Sequence, residues 1–240
     1  MGGDAVYVIK AGDTFPDLIE EMGNFEDWII AGMGLSPGAV QVVNAEKKAP
    51  LPDPETVRGA VISGSHAMVT EKLPWSLALE AWTRQMVEAQ IPLLGICYGH
   101  QILARAMGGS VGFHSRGTEI GTTSVSCHAP GRKDPLFQAL PDTFKVHVFH
   151  SQSVLGLPEG AVLLAGNGYD PNQAFRMGPC AWGVQFHPEA DARVTRGYIR
   201  NLKEALTGEG QDDEALAATI EDTPHAAALL RRFGAMAGNG

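Results

Sequence analysis

Three side chains have the types and spacing that acyl transfer at a carbonyl carbon needs: a cysteine, a histidine and a glutamate. The cysteine lies in Pro92-Leu93-Leu94-Gly95-Ile96-Cys97-Tyr98-Gly99-His100-Gln101. A nucleophile on a sharp strand-to-helix turn crowds the positions two before and two after it, and Gly95 and Gly99 occupy those positions. Such a turn leaves the sulfur beside the first free N–H groups of a helix, where donors and dipole favour thiolate over thiol. The attack also needs a group that takes a proton and later returns one to the departing amine, and imidazole does both near neutral pH. Of eight histidines, His187 is best placed. It ends the apolar run Trp182 to Phe186, Pro188 fixes the backbone after it, and Glu189 is close enough in an extended segment to hold the ring. His100 belongs to the surroundings of the helix after Cys97, and His66 borders the site. No spacing among His114, His128, His147 and His150 matches a zinc pattern, so no metal is expected.

Strands and helices must carry these groups. Leu93 to Ile96 is too short an apolar run for a helix and reads as a buried strand, and Ile102, Leu103, Ala106 and Met107 continue it as a helix. Further strands are read at Ala5–Ile9, Ala39–Val43, Gly59–Ser63, Ala161–Ala165 and Ala181–Phe186. Helices are read at Phe15–Met22, after the cap Asn24, at Pro74–Gln90 and over Val194–Leu206. Phe15, Phe25, Trp28 and their neighbours read as core packing. Between Ser110 and Leu164 helical periodicity gives way to short β runs, which predicts antiparallel additions rather than another βα repeat. The small-residue loop Gly64-Ser65-His66 follows a buried strand, at the kind of strand end where open α/β sheets bind ligands. Its backbone N–H groups can approach an oxyanion there. Gly208 to Glu214 is an acidic break. Residues 1–207 therefore form the main domain and 208–240 a C-terminal helical extension, opened in its second helix by Thr223 and Pro224. The stripe Leu229, Leu230, Phe233 and Met236 must dock on its own domain or, failing that, on a second copy or a partner.

Composition narrows the function classes. Hydrophobic residues make up 44% and charged residues 19% of 240, as in soluble globular proteins. A formal net charge of −9 without a basic cluster excludes nucleic acid as the expected partner. Cys97, Cys127 and Cys180 form no C-x-x-C pair, which fits a reducing, cytoplasmic setting. Neither a secretory signal nor a membrane span is expected.

The segment Gly95–Gln101 resembles the nucleophile motif of class I glutamine amidotransferases, and Gly183-Val184-Gln185-Phe186-His187-Pro188-Glu189 resembles the motif that supplies their histidine and glutamate. The two lie in the family's order, about ninety residues apart. Within the family, the chain is similar to free-standing proteins related to the glutaminase domain of GMP synthase. The resemblance covers roughly the first two hundred residues. It implies a flavodoxin-like three-layer α/β/α fold with added antiparallel strands and no cofactor. It also implies attack of Cys97 on the γ-carboxamide of glutamine and a γ-glutamyl thioester that water resolves through His187. Gly64 and Tyr98 would supply the oxyanion N–H groups, and Gln101 would lie against the substrate. Ser151 and Gln152 stand where relatives grip the α-amino and α-carboxylate groups. Many relatives carry Gly-Gly-Pro where this chain has Gly64-Ser65-His66, so the oxyanion glycine is kept. Nothing in the chain resembles a synthetase or a phosphate-binding P-loop. Ammonia would then pass to a separate synthetase chain, or the substrate would be a γ-glutamyl compound larger than glutamine. A reading of another class is a non-catalytic redox sensor or chaperone-like module with a reactive cysteine, against which the His187-Pro188-Glu189 motif argues.

Overall fold

The apolar runs become the centre of one twisted sheet. A computed structural model describes residues 5–238; the outermost residues of the two predicted spans, 1–4 and 239–240, lie outside the described residues. The chain begins with β1 (Ala5–Lys10), α1 (Pro16–Met22), α2 (Phe25–Met33), β2 (Val40–Asn44), β3 (Val57–Ile62) and α3 (Pro74–Glu88). Next come β4 (Leu93–Ile96), α4 (Tyr98–Ala106), β5 (Ser110–Phe113), β6 (Glu119–Cys127), β7 (Thr143–His150) and β8 (Gln152–Gly156). The remainder is β9 (Val162–Gly166), β10 (Ala174–Met177), β11 (Ala181–Val184), α5 (Ala192–Asn201), α6 (Lys203–Gly208), α7 (Asp213–Ala218) and α8 (Pro224–Gly238).

The sheet order is β2-β1-β3-β4-β11-β10-β9-β6-β7. Strands β2, β1, β3, β4 and β11 run parallel, and β10, β9, β6 and β7 extend them as an antiparallel wing. Strands β5 and β8 pair separately as a two-stranded ribbon. The change of character after Ser110 is therefore this wing and ribbon. Alternation along β1 explains the layering. Val6 and Val8 pack with Ile29 and Met33 of α2 and Leu229, Leu230 and Phe233 of α8 on one face. Tyr7 and Ile9 pack with Trp75, Leu79 and Trp82 of α3 and Ile102 and Leu103 of α4 on the other. The stripe on α8 thus docks on its own chain, with only Met236 substantially exposed.

Local signals hold where the chemistry is local. Asn24 caps α2 in a capping box with Asp27. The single helix expected over Val194–Leu206 is instead broken at Leu202. Just before the break, the Asn201 side chain donates to the Gly197 carbonyl 3.0 Å away, the kind of local bond that competes with helix continuation. Among the described residues no helix is long and apolar enough to cross a membrane.

Candidate functional site

Parallel pairing of β4 with both β3 and β11 brings three chain segments out at one edge of the sheet. Ile62 is in register with Gly95, and Val184 with Ile96. The Cys97 N–H donates to the Val184 carbonyl at 2.8 Å. Cys97 therefore leaves the sheet between the Gly64 loop and the segment that leads to His187, at the carboxyl ends of parallel strands.

The turn is as tight as the paired glycines predict. Cys97 sits at φ 49°, ψ −96°, a conformation that costs a non-glycine residue about 1–3 kcal/mol. A Cβ on Gly95 would lie 2.3 Å from the Gly99 carbonyl oxygen, and one on Gly99 would lie 2.6 Å from that of Ile62. No side chain caps the first turn of α4 and it holds no acidic residue, so its N–H groups remain available to an anion. The Tyr98 hydroxyl donates to Ser76 at 2.7 Å, away from the elbow, so its contribution to the turn is its backbone N–H. Gly64 faces the His187 ring: a Cβ there would stand 3.2 Å from Cε1. The Ser63 hydroxyl donates to the Gly64 carbonyl at 2.9 Å and holds that peptide plane.

His187 and Glu189 meet as the spacing suggests. Nδ1 of His187 is 2.7 Å from Oε1 of Glu189, with the side chains 1% and 0% exposed. Apart from Cys97, which lies within hydrogen-bonding reach of the ring, the His187 Nε2 has no partner. Burial alone would lower the His187 pKa. The Glu189 carboxylate and then Cys97 outweigh it and raise it to about 9. The ring is also held mechanically. Phe149 stacks on it at 3.6 Å between centroids, and Tyr198 stacks on Phe149 at 3.9 Å.

Cys97 opens into a cavity of about 310 Å³, at the lower end of the roughly 300–1,000 Å³ common for small-molecule sites. Tyr98, Gln101, Ser151 and Gln152 line it together with Cys97. The Gln101 side chain donates to the Gln152 carbonyl at 2.7 Å and to Gln185 at 3.1 Å, which ties α4 to β8. Gln152 donates to Thr70 at 2.6 Å, while its own Oε1 is buried without a partner.

Several residues at the site were not legible as such. His150 underlies the 151–152 segment. Its Nε2 is 2.9 Å from Glu119, which also accepts from Asn167 at 2.7 Å and Gln173 at 2.8 Å. Thr118 lines the cavity and is held by Glu209, which accepts from its N–H at 2.8 Å and from its hydroxyl at 2.9 Å. Phe15 read as core packing, yet it and Tyr198 both line the cavity. Nothing in their spacing distinguishes them. His147 donates to or accepts from Thr122 at 3.2 Å, and burial, then the charge on His187, lowers its pKa to about 4.

An elbow cysteine, a buried imidazole raised in pKa by a carboxylate, and free helix N–H groups can together carry out acyl transfer through a thioester. Comparison with known proteins agrees with the class. The family model for glutamine amidotransferase class-I matches residues 18–203, and the chain belongs to that family. It is 38% identical over 135 residues to the glutamine-hydrolyzing GMP synthase of Porphyromonas gingivalis, covering 55% of this chain and 25% of that protein. The chain thus spans about a quarter of the length of that synthase. It is 29% identical over 184 residues to a gamma-glutamyl-L-1-hydroxyisopropylamide hydrolase from Pseudomonas sp, covering 74% of this chain and 60% of that one. A crystal structure of a glutamine amidotransferase from Thermotoga maritima superposes with a TM-score of 0.75 at 25% identity over 98% of both chains.

Proposed function

We propose that the chain hydrolyses the γ-amide of glutamine, or of a larger γ-glutamyl compound, through a thioester on Cys97. The Cys97 thiolate attacks the γ-carbonyl carbon, and the resulting oxyanion is held by the N–H groups of Gly64 and Tyr98. The C–N bond breaks as the His187 imidazolium gives its proton to the departing amine. Water then attacks the thioester carbonyl, His187 takes the water proton, and glutamate leaves with the thiolate restored. Glu189 keeps the His187 ring oriented and stabilises its imidazolium form before the amine departs and again once the water proton has been taken. Gln101, Ser151 and Gln152 grip the amino-acid end of the substrate.

The observation that carries this reading is the buried 2.7 Å His187–Glu189 pair, whose carboxylate, together with Cys97 beside the other ring nitrogen, raises the imidazole pKa. Similarity to a GMP synthase supports delivery of ammonia to a separate synthetase chain when glutamine is the substrate. Similarity to a gamma-glutamyl-L-1-hydroxyisopropylamide hydrolase supports hydrolysis of larger amides. The test is glutamate release from glutamine and from γ-glutamyl amides, with mass spectrometry of the protein for a γ-glutamyl adduct. We expect turnover and an adduct, both abolished in Cys97→Ala. Turnover that survives Cys97→Ala, or neither turnover nor adduct with any γ-glutamyl compound, would overturn the reading.

A further inference from the structure

The cavity beside Cys97 has two unlike walls. One is polar and consists of Gln101, Thr118, Ser151 and Gln152. The other is aromatic. Phe15 packs against His66 at 4.5 Å and against Tyr198 edge-on at 5.2 Å. Tyr198 continues through Phe149 into the stack on His187. The aromatic wall therefore lies on the side of the imidazole. We propose that Phe15, His66 and Tyr198 bind the amine half of the substrate, and that this wall selects γ-glutamyl amides of neutral aryl or branched alkyl amines over γ-glutamyl amino acids. The proposal rests on the thioester reading above.

Three observations carry it. First, the departing amine must collect its proton from His187, so whatever the amine carries is directed to the imidazole side of the sulfur. That side is the ring wall, and glutamine itself has no group to fill it. Second, the wall is apolar in effect. The Tyr198 hydroxyl accepts from Thr14 at 2.9 Å and lies 3.3 Å from Nε2 of His66, so its hydrogen-bonding capacity is turned inward. His66 stands at the mouth, exposed to solvent. Crowding by the surrounding chain, then the positive charge on His187, lower its pKa and so disfavour its cationic form. Third, among the described residues lining the cavity there is no lysine or arginine. The carboxylate of an amino-acid leaving group would enter an aromatic wall with no lysine or arginine to meet it, which disfavours it. A neutral ring or branched alkyl group meets aromatic faces and edges instead.

The experiment measures kcat/KM of the full chain for glutamine, γ-glutamyl anilide, γ-glutamyl isopropylamide and γ-glutamylglycine, in wild type, Phe15→Ala and Phe15→Leu. Aniline leaves more readily than ammonia whatever surrounds it, so the decisive quantity is the change on substitution. We expect wild type to prefer the isopropylamide over γ-glutamylglycine by about tenfold or more, the size of effect that an unpaired charge produces. Phe15→Ala should lower the anilide-to-glutamine ratio by about tenfold, and Phe15→Leu, which keeps apolar bulk without the ring, by less. Equal use of γ-glutamylglycine and isopropylamide, or a proportional fall for all four substrates in either variant, overturns the proposal while leaving the thioester reading intact. Failure of every substrate, with no adduct on Cys97, overturns the thioester reading itself and this proposal with it.

Discussion

Glu189→Gln keeps the size and hydrogen-bonding shape of the side chain beside His187 and removes its charge. That charge, aided by Cys97, holds the pKa of a buried imidazole at about 9 when burial alone would take it below its ordinary 6.5. With Cys97 still in place, the variant should let it fall towards 6.5. At about pH 8 the imidazolium fraction then drops from roughly nine-tenths to about 3%, a loss of about 30-fold from titration alone. At about pH 6 the same shift costs less than about twofold. The ratio of wild-type to variant kcat/KM should therefore grow steeply with pH, and the alkaline limb of the profile should move down by about two and a half units. Loss of ring orientation adds a pH-independent factor on top, by analogy with the roughly 10⁴-fold effect of a neutralised third residue in serine proteases. Glutamate release followed over roughly pH 6 to 10, beside an NMR titration of the His187 ring, reads both quantities. A wild-type to variant ratio that stays constant across this range would refute the reasoning. Stability supplies a sign check. A folded-state pKa above the unfolded one contributes stability that is complete below about 6.5 and is lost as pH rises through about 9, and Glu189→Gln should erase that slope. His187→Ala should be more damaging than Glu189→Ala, because it removes the proton carrier rather than the group that orients it; equal losses with intact folding would mean that the roles are wrongly assigned.

Two further outcomes follow from the same geometry. Gly95→Ala places a methyl 2.3 Å from the Gly99 oxygen and 2.8 Å from the His100 nitrogen, both backbone atoms that cannot step aside. It should destabilise the fold by about 3 kcal/mol or more in urea unfolding, and a wild-type midpoint would contradict the tight elbow. Glu209→Ala removes both bonds to Thr118 and leaves that residue's carbonyl held by the Gln211 side chain at 2.9 Å. It should raise KM about three- to tenfold with a smaller effect on kcat, and an unchanged KM would show that the cavity rim does not depend on this clasp.

What was legible in the sequence was what the chain encodes locally. Cys97 with its flanking glycines and His187 with Glu189 each occupy one turn or one strand end, so spacing alone constrains their geometry. Asn24 as a helix cap is legible for the same reason. The adjacency of β4 and β11 is a long-range pairing, Leu93 with Ala181 through Ile96 with Val184. Composition and periodicity do not contain it. Partners of the histidines were also out of reach. Spacing shows His150 only as outside any zinc pattern, whereas its partner is Glu119, across the β6–β7 pairing. Leu77 falls within the helix read over Pro74–Gln90, yet it is 44% exposed, because periodicity identifies a helix and its stripe but not the stripe's edges.

The aromatic wall was illegible for a more specific reason. Phe15 precedes α1, His66 sits in the loop after β3, and Tyr198 lies on α5, so three unrelated segments each contribute one unremarkable ring. Reaction chemistry requires a fixed relation among sulfur, imidazole and carboxylate, and a fixed relation leaves a motif. An amine pocket has only to be apolar and of the right size, so many residue combinations satisfy it. The structure nevertheless links the two. Tyr198 and Phe149 form the column that supports the His187 ring, whereas Phe15 and His66 touch that column only at Tyr198. A change at Tyr198 should therefore alter proton transfer and amine preference together. At the cavity mouth, Phe15 and His66 can vary with far less consequence for the imidazole, so substrate preference can change there without dismantling the chemistry.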